Sequence, residues 1–369
     1  MRLETIELRN YRNYSSLSLE LNPNINLFFG SNAQGKTNLL ESVAFIAAGR
    51  SFRTRNEGEL ILWGENNCTA SARVCNRMGR ETLKVSFDVG SRNKIFSVNG
   101  LTMNRSNYAG RLVTVLFTPE DLSIVKGSPA VRRKFFDDEI SKILPVYEYE
   151  LGRLQQIIRQ RNNLLKKFRQ KVLGSQELAS WNEQLAILSA KILIKRVTAI
   201  RRIGLLARLS HRNLTGRDES LEILYQSFLP LDDGVLDTQV IQDALLAGLE
   251  EKKHEEARLG QTLLGPHRDD IVFNINGRNA RLYASQGQQR TLVLALKLAE
   301  LEFIKGETGE YPVLLFDDVF SELDERRRRL LVETIDGRIQ TFITGTEAEK
   351  LRQFKESGKM FKVREGEVV

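Results

Sequence analysis

The spacing of apolar positions changes period along this chain, and the changes divide it into three stretches. Met1 to Leu8 alternates polar and apolar residues as a strand does, and Ile25–Phe29 is a short apolar run entering a glycine-containing loop. Thr37 to Ala48 then takes helical spacing. Alternation resumes over Cys68–Val74, Leu83–Val89 and Lys94–Val98. There Asn99-Gly100 predicts a tight hairpin, because both residues tolerate the positive φ such turns require. From Pro129 to Arg212 the period is helical. Leu151, Leu154, Ile158, Leu165, Phe168 and Val172 form one stripe, interrupted by Arg161. After Gly174-Ser175, Leu178, Trp181, Leu185, Leu188 and Ile192 form a second. Two helices joined by a short turn are expected to pack antiparallel along heptad-like seams. Beyond His254 strand and turn signals return. They comprise Ile271–Asn276 before Gly277, a helix from Gln286 to Lys305, the strand Val313–Phe316, a helix from Glu325 and the strand Thr341–Ile343.

The first and third stretches therefore read as one discontinuous domain, residues 1–125 with 255–369, into which a helical arm, residues 126–254, is inserted. The first arm helix, about 25 residues, would extend roughly 38 Å, far too short for a long tethering coiled coil.

At 369 residues and 42.1 kDa the chain is long enough for two domains with full cores. Apolar runs fall short of the roughly 20 residues of a membrane span, and Met1–Leu8 lacks a signal-peptide core. The cytoplasm is the expected location, with no membrane partner. Cys68 and Cys75, seven apart on a strand, face opposite sides and read as ordinary thiols. His211, His254 and His267 are scattered and form no metal-ligand cluster. The net charge of +8 is unevenly placed: Leu151 to Arg212 holds fourteen Lys/Arg against Glu177 and Glu183, a local +12 that leaves −4 for the remainder. A basic element on a mildly acidic body suits a polyanion partner, and DNA contact is assigned to Arg159, Arg161, Lys166, Lys167 and Arg169. Without interleaved aromatics, backbone contact is favoured over base reading.

Chemistry concentrates at three places. Gly30-Ser31-Asn32-Ala33-Gln34-Gly35-Lys36-Thr37 is a phosphate loop between an apolar strand and a helix, with Asn38 in the first helical turn. Its glycines turn backbone N–H groups toward phosphate oxygens, and the helix N-terminus adds its dipole. Lys36 is expected on the β- and γ-phosphates and the Thr37 hydroxyl on Mg²⁺. Asp317 and Asp318 at the exit of Val313–Phe316 suit a Mg²⁺ ligand and a general base that polarises the attacking water. Ser285-Gln-Gly287-Gln-Gln-Arg290 opens a helix upstream of that strand, with Ser285 as N-cap.

The order of these three resembles the ATP-binding-cassette proteins, in which the signature helix of one subunit addresses the γ-phosphate held by the other. Further strings resemble the RecF family over nearly the whole length. They are Asn10-Tyr11-Arg12-Asn13, Gly49-Arg50-Ser51-Phe52-Arg53, Thr118-Pro119-Glu120-Asp121-Leu122, Lys126-Gly127-Ser128-Pro129 with Arg132 to Asp137, Gly265-Pro266-His267-Arg268-Asp269-Asp270, and Ser321-Glu322-Leu323-Asp324. The resemblance implies an α/β fold, a cassette-type, SMC-head-like P-loop ATPase domain with a coiled-coil-like arm. It also implies a homodimer formed on ATP binding, with Ser285 and Gly287 closing over the partner's nucleotide. Such a protein would act on gapped or junction DNA, with RecO and RecR, to promote loading of RecA.

Asp318 stands where transporters carry glutamate, and Thr344 where they carry the switch histidine. A shorter acid predicts slow hydrolysis, with ATP as a clamp signal. Glu120 replaces the Q-loop glutamine. Arg50 and Arg53 suit phosphate contacts or surface ion pairs, and Arg326 to Arg329 a solvated helix face. An SMC-type tether would need hundreds of heptad residues, a transporter ATPase would not need the basic arm, and a nuclease would need an appended acidic metal cluster.

Overall fold

A computed structural model of the chain describes residues 1–169, 175–216, 218–229, 237–319, 324–335, 337–346 and 358–369. The turn at Gly174, Val172, the side chains of Phe168 and Arg169, and Ser321 to Leu323 lie outside the described residues. Strands are numbered in chain order: β1 (Arg2–Tyr11), β2 (Tyr14–Glu20), β3 (Ile25–Phe29), β4 (Asn67–Asn76), β5 (Gly79–Asp88), β6 (Lys94–Val98), β7 (Leu101–Met103), β8 (Thr114–Phe117), β9 (Leu221–Gln226), β10 (Asp270–Ile275), β11 (Arg278–Asn279), β12 (Val313–Phe316), β13 (Thr341–Gly345), β14 (Gly358–Arg364) and β15 (Glu367–Val368).

Packing divides the chain into two units, Met1–Asp121 with Glu300–Val369, and Leu122–Ala299. Residues 255–299, assigned by sequence to the ATPase domain, pack with the helical unit, and the division falls inside the helix Gln286–Thr308.

The first unit holds two sheets. One is antiparallel, in the order β2-β1-β4-β5-β6-β7. Its hairpin at Asn99-Gly100 has φ of 51° and 82° and pairs Val98 with Leu101, the geometry expected of a tight turn built from those residues. The other runs β15-β14-β3-β13-β12-β8, parallel from β14 to β8. The helix Lys36–Ala48 has buried residues on every side. It has no solvent stripe because Leu39, Leu40, Val43, Phe45 and Ile46 share one core with residues of both sheets, including Val74, Val85, Leu315 and Phe342.

The second unit is built on the helices Pro129–Ile143, Pro145–Arg169, Ser175–Thr215 and Thr238–Glu251, with a small antiparallel sheet β11-β10-β9. The first arm helix has the expected 25 residues, but the second has 41 and would run about 62 Å. Leu154, Leu165, Leu178, Leu185 and Ile192 are buried as their spacing predicts, whereas Ile157 goes deeper than Ile158. Strand β9 lies within the stretch read as helical. Only Leu221 on it is fully buried, so its alternation is weak.

Two arginines of the basic segment turn inward, and Arg161 corrects a DNA-contact assignment. Its guanidinium is fully buried, 2.5 Å from the equally buried Glu256, and also donates to Asn182 Oδ1 at 2.7 Å and Thr262 Oγ1 at 2.9 Å. Arg196 forks onto Asp137 (2.9 and 3.0 Å) and donates to the Tyr225 hydroxyl and the Pro266 carbonyl, while Tyr225 donates to Asp269. Arg132 makes a second fork onto Asp270, both bonds 2.8 Å. Long helices, β10 and the Gly265–Asp270 turn are thereby tied through charge-assisted bonds.

His267 sits in this turn, its Nε2 3.2 Å from the Thr262 carbonyl. Burial pushes its pKa down to about 4; the Thr262 carbonyl opposes the shift, and the positive charges of Arg268, Arg133 and Arg161 add to it.

Two outcomes are expected. Arg161→Ala should cost about 3–5 kcal/mol in urea unfolding, because it strands a buried carboxylate; unchanged stability with weakened DNA binding would restore the DNA assignment. For His267 the folded pKa lies below the unfolded value of about 6.5, so the unfolded chain binds more protons between the two. Stability should fall as pH drops from about 6.5 to 4, by up to roughly 3 kcal/mol. His267→Gln should flatten that part of the unfolding profile.

Candidate nucleotide site

Strand order explains why distant motifs meet. Strand β13 lies between β3 and β12, all parallel, so the phosphate loop after β3, Thr344 in β13 and the acids after β12 emerge at one sheet edge. The loop is built of tight approaches. Gly30, at φ 155°, would place a Cβ 2.3 Å from the Val363 carbonyl, and Gly35, at φ 118°, would place one 2.7 Å from the Asn13 amide. Both positions therefore require glycine.

Ser31, Asn32 and Ala33 form the exposed crown of the loop, and Ala33 takes φ 65°. Gln34 is held at its base: its carbonyl accepts from Asn13 Nδ2 at 3.0 Å and from Gly366 N at 3.1 Å, and its side chain accepts from Glu365 N. Tyr14 donates to the Gly35 carbonyl at 3.0 Å, and Asn38 donates to Asn13. Lys36 Nζ donates to the Gly30 and Ser31 carbonyls, both at 2.7 Å, which fixes the ammonium within the loop. Burial lowers its pKa, and Asp318 and Asp317 oppose that shift.

Thr37 Oγ1 donates to Asp317 Oδ1 at 2.9 Å, and Thr344 Oγ1 lies 2.9 Å from the same oxygen. Thr344 also accepts from Asp318 N at 2.9 Å. Burial raises the Asp317 pKa; the Thr344 and Thr37 hydroxyls and Arg53 counter it, and Asp318 adds to it. Thr37 and Asp317 thus bring hard oxygen donors to one point beside a carboxylate that a divalent cation would relieve, and they fit Mg²⁺. Asp318 has φ 55°, a left-handed conformation costly for aspartate, held by its amide bond to Thr344.

One cluster beside the loop was not assigned from sequence. Glu41, fully buried on the loop helix, receives both arms of Arg12 (2.8 and 2.7 Å) and a short bond from Ser51, and Arg53 lies 3.6 Å away. Arg53 also donates to Asn38. The available signal is an acid at an otherwise apolar helix position. Arg50 is exposed, as is Glu120.

Ser285 and Gly287 belong to the second unit. Ser285 Oγ accepts from Gln288 N at 3.2 Å, and Gln288 Oε1 accepts from Ser285 N at 2.9 Å, a reciprocal cap with glutamine at the third helical position. Of the remaining basic candidates, Arg159, Lys166 and Lys167 are exposed, Arg161 is not, and the Arg169 side chain is outside the described residues. Asp324, after the undescribed residues, accepts from Arg327 N and caps the next helix.

Among the described residues no helix is long and apolar enough to cross a membrane, and no cluster of three or more His, Cys, Asp or Glu is placed to hold a metal. The family model for the RecF/RecN/SMC N-terminal domain matches residues 2–368. The chain is 42% identical to the DNA replication and repair protein RecF of Natranaerobius thermophilus, over 100% of this chain and 98% of that protein. It is 43% identical to RecF of Enterococcus faecalis, over 95% and 94%. A solved structure of the recombination mediator protein RecF with ATP, from the RecFOR pathway, superposes with a TM-score of 0.90 at 34% identity, covering 100% of this chain and 97% of that one. The Smc head domain of Pyrococcus furiosus, at TM-score 0.56 and 14% identity, shares the fold. By family model, full-length identity and fold, the chain belongs to the RecF family of DNA replication and repair proteins.

Proposed function

We propose that this chain is an ATP-switched DNA-binding protein of replication and recombinational repair, whose protomers associate on MgATP and close on gapped or junction DNA. The observation that carries the reading is the shared point at Asp317 Oδ1, where the Thr37 hydroxyl and the strand-exit carboxylate meet beneath a lysine-filled phosphate loop. The RecF structures with ATP and with ATPγS at 34% identity support it.

In this mechanism the loop amides of Gly30 to Thr37, with the N-terminus of the helix behind them, bind the phosphates, and Lys36 exchanges its loop carbonyls for phosphate oxygens. Mg²⁺, held by Thr37 and Asp317, would neutralise charge developing on the γ-phosphate. Thr344 cannot act as the switch histidine does. It instead orients both acids, through Asp317 Oδ1 and the Asp318 amide. Asp318 accepts the proton of the attacking water. The partner's Ser285 turn closes the site from the other protomer, and the exposed Leu282 and Tyr283 just before that turn, 69% and 70% accessible, suit an association surface. The arm presents Arg159, Lys166 and Lys167 to DNA phosphates. RecR is the proposed direct partner, with RecO and RecA further along the pathway.

Lys36→Ala should abolish saturable binding of a fluorescent ATP analogue. Asp318→Asn should keep MgATP-dependent association in sedimentation while hydrolysis falls about 100-fold or more; hydrolysis at the wild-type rate would remove Asp318 as base. DNA affinity should fall steeply with salt. Replacing Arg159, Lys166 and Lys167 with alanine should flatten the log–log slope by about 0.9 for each phosphate no longer neutralised.

A further inference from the structure

A chain of side-chain contacts within the second unit joins the end of the long arm helix to the Ser285 turn, and neither the phosphate loop nor the arm surface uses it. His211, in the last turns of Ser175–Thr215, is fully buried, and neither ring nitrogen has a hydrogen-bonding side-chain partner among the described residues. Its Nε2 lies 3.5 Å from Glu219 Oε2, a buried oxygen that has no hydrogen-bond donor among the described residues. The other oxygen, Oε1, accepts from Gln288 Nε2 at 2.8 Å. Gln288 is also tied to Ser285: its Oε1 accepts from the Ser285 backbone N–H, and its own backbone N–H donates to the Ser285 hydroxyl.

A partly exposed carboxylate with one oxygen hydrogen-bonded and the other buried without a donor among the described residues adds little stability, since that oxygen loses its hydration without compensation. What the contact does is orient. Gln288 is the only reciprocal cap that the Ser285 turn has among the described residues. Glu219 fixes the side-chain amide of that cap, and its Oε2 lies against the buried imidazole at the end of the arm helix.

We propose that Glu219 is a positioning residue for nucleotide-dependent association: it clamps Gln288 and so sets the Ser285 turn that meets the partner's nucleotide. This rests on the reading of Ser285 as acting across the protomer interface. It adds that the arm helix and the Ser285 turn are mechanically joined, so that a shift of the arm on DNA is delivered to the nucleotide contact through a single carboxylate.

The test uses full-length protein, with a fluorescent ATP analogue for binding and sedimentation with MgATP for association. Glu219→Ala should bind the analogue within about twofold of wild type, because the phosphate loop is untouched, yet associate about tenfold more weakly. Gln288→Glu, which sets two carboxylates against each other at a half-exposed position, should weaken association at least as much. The exchange Glu219→Gln with Gln288→Glu should restore it, since the amide then donates from the other side. A merely structural role would lower nucleotide binding and thermal stability together and would not be rescued by the exchange. Wild-type association in Gln288→Glu, or no rescue by the exchange, overturns the proposal. Ser285→Arg separates the two levels. If it abolishes association while Glu219→Ala and Gln288→Glu do not, only the positioning role falls; if it associates normally, the trans contact fails and the positioning role with it.

Discussion

A carboxylate withdrawn from water at the end of a parallel strand must be given donors or a cation, and Asp317 is given both options. Two hydroxyls reach one of its oxygens, Thr37 from the phosphate loop and Thr344 from the neighbouring strand. The requirement links three strands: β3 delivers the loop, β12 the acid, and β13 between them the second hydroxyl. The two hydroxyls offset the cost of burying Asp317 only in part, and its pKa stays raised. The same threonine holds the amide of Asp318 in a conformation aspartate would otherwise avoid. In the proposed mechanism the metal ligand and the general base are therefore two ends of one hydroxyl's geometry.

The arm shows how a charge count can mislead about surface. Arg161 and Arg196 contribute to its +12 yet lie inside, the first closing a network around the buried Glu256 and the second around the partly buried Asp137. They act as rigid forks, suited to joining several acceptors at fixed angles across helices and a turn. The Gly265–Asp270 string finds a structural explanation in this arrangement: Pro266 gives its carbonyl to Arg196, Asp269 takes the Tyr225 hydroxyl, and Asp270 takes Arg132.

Much of the first unit was legible because its signals are local. Asn99-Gly100 could hardly be anything but a turn, and the same holds for Asn276-Gly277 in the second unit; both adopt positive φ at each position. Val313–Phe316 has turn signals at both ends and no competing period. The phosphate loop needs its glycines for reasons visible in any sequence. What was not legible depends on partners far away. Nothing near Arg161 announces Glu256, and β9 becomes a strand only by pairing with β10. Ile157 and Ile158 are adjacent in sequence, and only packing against the neighbouring helices decides which goes deeper. Thr344 was noted for what it is not, a histidine; its actual work needs the coordinates of two other strands.

Strand β14 pairs with β3, so Ile25 finds Gly358 only after the more than three hundred residues between them have been made. At roughly 5–20 residues per second of synthesis, β3 waits about 20 to 70 s for that neighbour. The antiparallel sheet, complete by Met103, can form on the ribosome long before. The parallel sheet cannot, and the apolar residues of the helix Lys36–Ala48 meanwhile have only one of their two sheets to cover them. Until then the nascent chain carries apolar surface with no partner sheet, the condition in which incomplete chains are prone to aggregate.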